Sequence, residues 1–293
     1  MFVTLVLVAI AGALVVTSGV FLVRILLTLP VMQDFLAAFP GEYELPATAE
    51  PGFPVWVQWQ HFLNMFLIVL IIRSGWQVRT EKRPAVFWTP RWSKNGSGKI
   101  SLALWLHVTV DALWIVNGIV FIVLLFVTGH WMRIVPTSWE VFPNALSAAL
   151  QYVSLDWPTH NSWVNYNSLQ QLMYFLTVFV AAPLAFVTGV RMSIFWPKNA
   201  TRLNRLYPVE WARAVHFPTM LYFVLFIIVH VTLVFATGAL RNLNHIYGGV
   251  DTATITGLLL FLGSLVLVVL AVVAARPLLL APIAGTMGRV SNR

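Results

Sequence analysis

His216 and His230 lie fourteen residues apart inside one apolar stretch, Trp211 to Gly238. At about 1.5 Å of rise and 3.6 residues per turn, that interval is just under four turns and about 21 Å of axis, so both imidazoles project from nearly one helix face. Imidazole is a transition-metal ligand, and a low-spin b-type haem iron takes one axial ligand from each side. One helix can therefore serve two haems stacked across a bilayer, provided other helices supply a second histidine at each depth. His61 and His107 are the candidates for those partners. Cysteine is absent, so no CxxCH attaches a c-type haem, no thiolates hold an iron–sulfur cluster, and any metal cofactor is held by nitrogen or oxygen.

Such histidines need a membrane-spanning frame, and the composition matches one. Of 293 residues, 59% are hydrophobic and only 10% charged, the balance of a polytopic membrane protein rather than a soluble domain. Apolar runs of about twenty residues predict six spans, at 2–30, 53–73, 100–127, 168–192, 211–238 and 253–275. The expected fold is an all-α membrane bundle forming one domain over residues 1–293. The first run lacks a basic leader and far exceeds a signal-peptide core, so it reads as a retained helix. Proline and glycine mark the edges of the runs (Pro30, Pro51, Pro54, Pro136, Pro197, Pro208, Gly238), while Pro183 and Pro218 fall inside spans. Tryptophans near the ends of runs, among them Trp56, Trp59, Trp105, Trp196 and Trp211, fit the aromatic belts of a bilayer interface.

Charge orients the bundle. The loops Arg73–Lys99 and Arg191–Arg213 and the tail arginines 276, 289 and 293 hold fifteen basic residues against two acidic. The opposite segments carry Asp34, Glu42, Glu44, Glu50, Glu140, Asp156 and Asp251 against Arg24, Arg133 and Arg241. The basic faces are expected to be cytoplasmic, with both termini inside a bacterial inner membrane. The net charge of +8 is accounted for by these short loops, which excludes nucleic acid as the simplest partner.

Depth then assigns partners. The second span descends from outside with His61 near its outer end, the third rises with His107 near its inner end, and the fifth rises with His216 low and His230 high. The expected pairs are His61 with His230 outside and His107 with His216 inside. A lone intramembrane histidine is most simply a core residue bonded to a carbonyl; four at two matched depths ask for a common explanation. His130, twenty-three residues and about 34 Å beyond His107, reads as an interfacial residue and is the competitor of His230 for His61. His160 and His245 read as loop histidines.

The stretch from Tyr166 to Ser193, with Asn-x-x-Gln at 167–170 and Thr-Gly-x-x-Met-Ser at 188–193, together with Ala212–His230, resembles the bacterial di-haem cytochrome b superfamily, often called cytochrome b561-like. That group includes membrane subunits of formate dehydrogenase, nickel–iron hydrogenase and thiosulfate reductase, and the likeness covers roughly residues 53–250. The resemblance implies two b haems in a helical bundle, with His61, His107, His216 and His230 as axial ligands. It also implies electron exchange between membrane quinone and a partner oxidoreductase, often a molybdenum or nickel–iron enzyme. One departure stands out: in the formate dehydrogenase type the first ligand-bearing helix starts at the cytoplasmic face, whereas here the extra N-terminal span and the loop charges start it outside. The Trp-rich segment His130–Asn165 is then a candidate dock for an extracytoplasmic enzyme.

Asp111 is the one acid embedded in a span, a turn beyond His107. Two readings stay open for it: a proton relay for quinone, or a buried acid bonded to a neighbour. Arg213, Lys99 and Arg241 are candidate partners for haem propionates or simple helix-end anchors. Two further functions compete with quinone-linked respiration. Electron delivery to a ferric or methionine sulfoxide reductase uses the same ligands, and a proton-coupled transporter calls for inverted repeats, which the sequence does not display.

Overall fold

Within a bilayer no water satisfies the backbone, so an apolar run must close its hydrogen bonds on itself. The computed structural model, which describes residues 1–93, 98–157, 161–197 and 199–293, has six helices long and apolar enough to cross a membrane among those residues. In chain order the elements are α1 (Phe2–Leu27), α2 (Pro30–Ala38), α3 (Val55–Thr80), β1 (Val86–Pro90), β2 (Ile100–Ser101), α4 (Leu102–Val127) and α5 (Val141–Val153). They continue with α6 (Ser168–Phe175), a π-helical segment Leu176–Ala181, α7 (Ala182–Met192), α8 (Thr201–Leu206), α9 (Val209–Ala236) and α10 (Ala239–Leu243). A second π-helical segment, Asn244–Gly248, precedes α11 (Thr256–Ala274), α12 (Pro277–Met287) and β3 (Gly288–Asn292).

The spans differ from their predicted limits for local reasons. Helix α1 stops at Leu27 because Leu29, which precedes Pro30, is extended, and Pro30 opens α2 at the position where a missing N–H costs nothing. Helix α3 runs on to Thr80, its polar last turn closed by Thr80 Oγ1 donating to Trp76 O and ended by Arg79. The fourth span is three pieces: Pro183 has no N–H for the carbonyl four residues back, and the turn before it widens into the π-helical segment.

The described residues divide into two units, 1–51 with 126–178 and 52–125 with 179–293. In the first, α1 buries none of its side chains, as suits a helix solvated by lipid. Its polar interior is a network that joins the 39–51 segment to the residues after α4. Tyr43 Oη donates to Gln171 Oε1 at 2.8 Å, Gly41 N donates to Asn144 Oδ1 at 2.9 Å, and the buried Arg133 donates to Ser162 O at 2.6 Å beneath the Tyr166 ring. The Asn-x-x-Gln motif is a reciprocal cap on α6: Asn167 Oδ1 accepts from Gln170 N at 2.9 Å and Gln170 Oε1 accepts from Asn167 N at 3.1 Å. Asn167 Nδ2 also donates to Tyr152 Oη. Asn167→Ala is expected to cost about 1–2 kcal/mol, read as a lower thermal midpoint in detergent, with Asn167→Ser recovering part of the loss.

The second unit packs Leu67 and Leu70 of α3 and Trp105, Leu106 and Val110 of α4 against Ala275 and Ala284. It also holds a three-stranded antiparallel sheet in the order β2-β1-β3, with Phe87 opposite Ser101 and Trp88 opposite both Ile100 and Val290. Trp88 Nε1 donates to Ala284 O at 3.0 Å, and a Cβ on Gly288 would strike the Trp88 indole and Thr89 O, so glycine is required by the close approach. This minor sheet joins the basic 73–99 loop to the tail, both of which the composition reads as plain connectors.

Candidate functional site

All four span histidines lie in the second unit. His61 projects from α3, His107 from α4, and His216 and His230 from α9, whose unbroken 28 residues keep the fourteen-residue interval on one face despite Pro218. The structure brings His61 to His230 and His107 to His216, each pair with 6.4 Å between ring centroids. A metal bonded at about 2 Å to one nitrogen of each imidazole, with roughly 1 Å from nitrogen to ring centre, requires about 6 Å between centroids.

Around His107 and His216 the surroundings repeat. Ser74 Oγ donates to Leu70 O at 2.7 Å and lies 3.0 Å from His107 Nδ1. Thr188 Oγ1 donates to Leu184 O at 2.6 Å and lies 2.8 Å from His216 Nδ1. A hydroxyl has one hydrogen; with it committed to the carbonyl, each oxygen accepts from the Nδ1–H of its histidine, and each Nε2 is left with its lone pair. Glycine follows each hydroxyl residue. A Cβ on Gly75 would come within 3.0 Å of His107 Cε1, so the small residue makes room for that ring, whereas one on Gly189 would lie in ordinary contact with His216 Cε1 at 3.6 Å.

The other pair is held differently. His61 Nδ1 is buried without a hydrogen-bond partner, the Tyr247 ring stands edge-on to His61 at 5.8 Å, and Phe226 stacks on His230 at 5.6 Å and 6°. Midway along α4 and α9, Trp114 packs edge-on against Phe223 at 6.1 Å, its indole N–H fixed on Asn64 Oδ1 at 3.1 Å. The phenol of Tyr247, outside the spans, is pushed above its ordinary pKa by burial, partly opposed by a hydrogen bond from Ser264.

Among the described residues no group of three or more His, Cys, Asp or Glu side chains converges to hold a bare ion. Two facing imidazoles at that separation would hold a metal whose other ligands are supplied by a macrocycle, and the chain presents two such pairs. The residues present therefore fit haem.

The remaining candidates fall as follows. Asp111 Oδ2 is 3.5 Å from His107 Nε2, too long for a hydrogen bond of good geometry. Arg213 is exposed near the start of α9, and Lys99 rests its ammonium over the Phe87 ring at 4.6 Å. Arg241 is committed to Asp251 by two bonds of 2.6 and 3.0 Å, and the buried His245 meets the same carboxylate at 2.7 Å. His130, in the first unit, has its Nδ1 near Thr128 Oγ1 at 3.1 Å, and its burial lowers its pKa. His160 lies outside the described residues. Ser74, Gly75, Thr188 and Gly189 are the site residues that reasoning from ligands alone passes over. Their signal is a hydroxyl–glycine pair inside an apolar span, which Ser18–Gly19 and Thr256–Gly257 also display, so the pair alone does not single them out.

A family model described as prokaryotic cytochrome b561 matches residues 52–249. A putative protein-methionine-sulfoxide reductase subunit, YedZ1 of Azospira oryzae, is 27% identical over 184 residues, which cover 62% of this chain and 88% of that protein. No solved structure matches.

Proposed function

Because the chain belongs to the prokaryotic cytochrome b561 family of haem-carrying membrane electron-transfer subunits, we propose that it binds two b haems, one between His61 and His230 and one between His107 and His216. It carries electrons across a bacterial inner membrane between the quinone pool and a partner oxidoreductase. The observation that carries this reading is the pair of 6.4 Å imidazole separations set fourteen residues apart along α9. When bound, haem supplies one-electron chemistry in a low-dielectric interior. His61, His107, His216 and His230 would hold the iron through their imidazole nitrogens, Ser74 and Thr188 fix the tautomers of His107 and His216, and Phe226, Tyr247, Trp114 and Phe223 exclude water. Quinol releases two protons with its two electrons, and Asp111, beside His107, is the carboxyl we assign to that exchange. Arg213 at the start of α9 and Lys99 just before β2 are the cations we assign to propionates. Both termini face the cytoplasm by the charge argument.

A second reading of the partner is favoured by the name of the Azospira relative, in which the electrons serve a methionine sulfoxide reductase. The haem ligands are the same in both readings. Protein purified from haem-replete cells is expected to show a b-type spectrum with two haems per chain, reducible by a quinol analogue; a colourless preparation overturns the proposal. Metal analysis of the copurifying subunit, with assays for methionine sulfoxide and ferric reduction, separates the partner readings.

A further inference from the structure

We propose that Ser74 and Thr188 are positioning residues that make the two haem centres unequal, setting the His107/His216 centre at a lower potential than the His61/His230 centre. The inference rests on the haem reading above and adds an internal direction to it.

The observation is a device built twice at one level. Two different helices, α3 and α7, each present a hydroxyl whose hydrogen is spent on its own backbone carbonyl one turn back, Ser74 on Leu70 and Thr188 on Leu184. Each hydroxyl oxygen then faces Nδ1 of its histidine, at 3.0 and 2.8 Å, and shares that N–H with the backbone carbonyl of Ile71 or Ala185. Each is followed by a glycine against which that ring lies. Both axial imidazoles of this level are thus locked in one tautomer and one orientation, with a hydrogen bond drawing on Nδ1–H.

Such a bond makes Nε2 a stronger donor. Stronger axial donation stabilises the more highly charged ferric state, which lowers the reduction potential. A chain in which the hydroxyl is itself polarised by a carbonyl strengthens the effect, because bonded dipoles reinforce one another in a low-dielectric interior. At the other level the Nδ1 of His61 has no hydrogen-bond partner, Tyr247 stands edge-on to His61 and Phe226 stacks on His230. With weaker donation from His61 and aromatic rings against the pair, the less charged ferrous state is favoured there. An electron on the protein settles on the His61/His230 centre, and transfer from the His107/His216 level toward it is downhill. In the orientation argued from loop charge, that direction is outward.

The test is a spectroelectrochemical titration of the full-length protein in detergent, followed at the haem absorption bands. The wild type is expected to titrate in two steps, and His216→Ala protein to retain only the upper one. Ser74→Ala and Thr188→Val are each expected to move the lower step upward and leave the upper step in place, while Ser74→Thr and Thr188→Ser stay near wild type. Either hydroxyl position suffices if the variant at the other fails to load. Two-haem variants whose lower step does not move, or in which only the upper step moves, overturn this inference and leave the haem reading standing. Wild-type protein that binds no haem overturns the haem reading itself.

Discussion

His216→Ala is expected to lower the haem content from two per chain to about one, and His230→Ala to do the same while sparing the opposite centre. Each removes one of the two imidazoles that face each other at 6.4 Å. A low-spin iron left with one axial nitrogen loses both affinity and its spectrum. The first variant strips the centre flanked by Ser74 and Thr188, the second the centre flanked by Tyr247 and Phe226, so the surviving spectra differ. Pyridine haemochrome counting against protein concentration checks the stoichiometry, and the double variant is expected to be colourless. Full haem in both single variants refutes the pairing. Because the two positions lie fourteen residues apart on one continuous helix, a general collapse of α9 has a distinct signature, the loss of both haems in either single variant.

Asn244→Ala is expected to have the largest effect outside the ligands. The side chain is fully buried: its Nδ2 donates to Thr252 O at 2.9 Å, Thr254 O at 2.7 Å and Thr254 Oγ1 at 2.9 Å, and its Oδ1 accepts from Gly257 N at 2.6 Å. One amide thus closes the turn between the second π-helical segment and α11, at a crossing so tight that a Cβ on Gly257 would strike the backbone of Leu243 and Asn244. Removing it leaves the buried Gly257 N–H unpaired, at about 1–3 kcal/mol, and frees the carbonyls of the exposed Thr252 and Thr254 at a smaller cost. The expected total is a loss of about 2–3 kcal/mol, read as a lower thermal midpoint. Tyr247, three residues on, then loses its fixed place edge-on to His61, so the His61/His230 haem is expected to dissociate first on heating. Asn244→Asp offers no relief, since a carboxylate facing two carbonyls repels where the amide donated. A variant that melts with the wild type and holds both haems equally refutes this account of the turn.

The spans were readable because burial in lipid imposes a length and an apolar character that any window of twenty residues displays. What the hydropathy windows passed over was structure built on other grounds. Helices α2 and α5 and the added helix α12 are too short to register as spans. The sheet of Val86–Pro90, Ile100–Ser101 and Gly288–Asn292 pairs its first and third strands about two hundred residues apart, in segments outside the spans. Pro183 was visible as a break, but whether it would kink, end or widen the helix depended on the neighbours that take up the freed carbonyl.

The site divides along the same line. Depth along a helix is counted in residues, so the spacing of His216 and His230 and the candidacy of His61 and His107 followed from the chain itself once its spans were placed, as did family membership through the Asn-x-x-Gln and Thr-Gly motifs. Rotation about each helix axis is not so counted, because a run apolar on all sides shows no preferred face. Only the packed helices decided that Ser74 and Thr188 turn toward His107 and His216, that Gly75 leaves room for the His107 ring, and that Trp114 meets Phe223 between the levels. Those contacts cross between helices, and their partners are chosen by azimuth and close approach, which one-dimensional spacing does not carry.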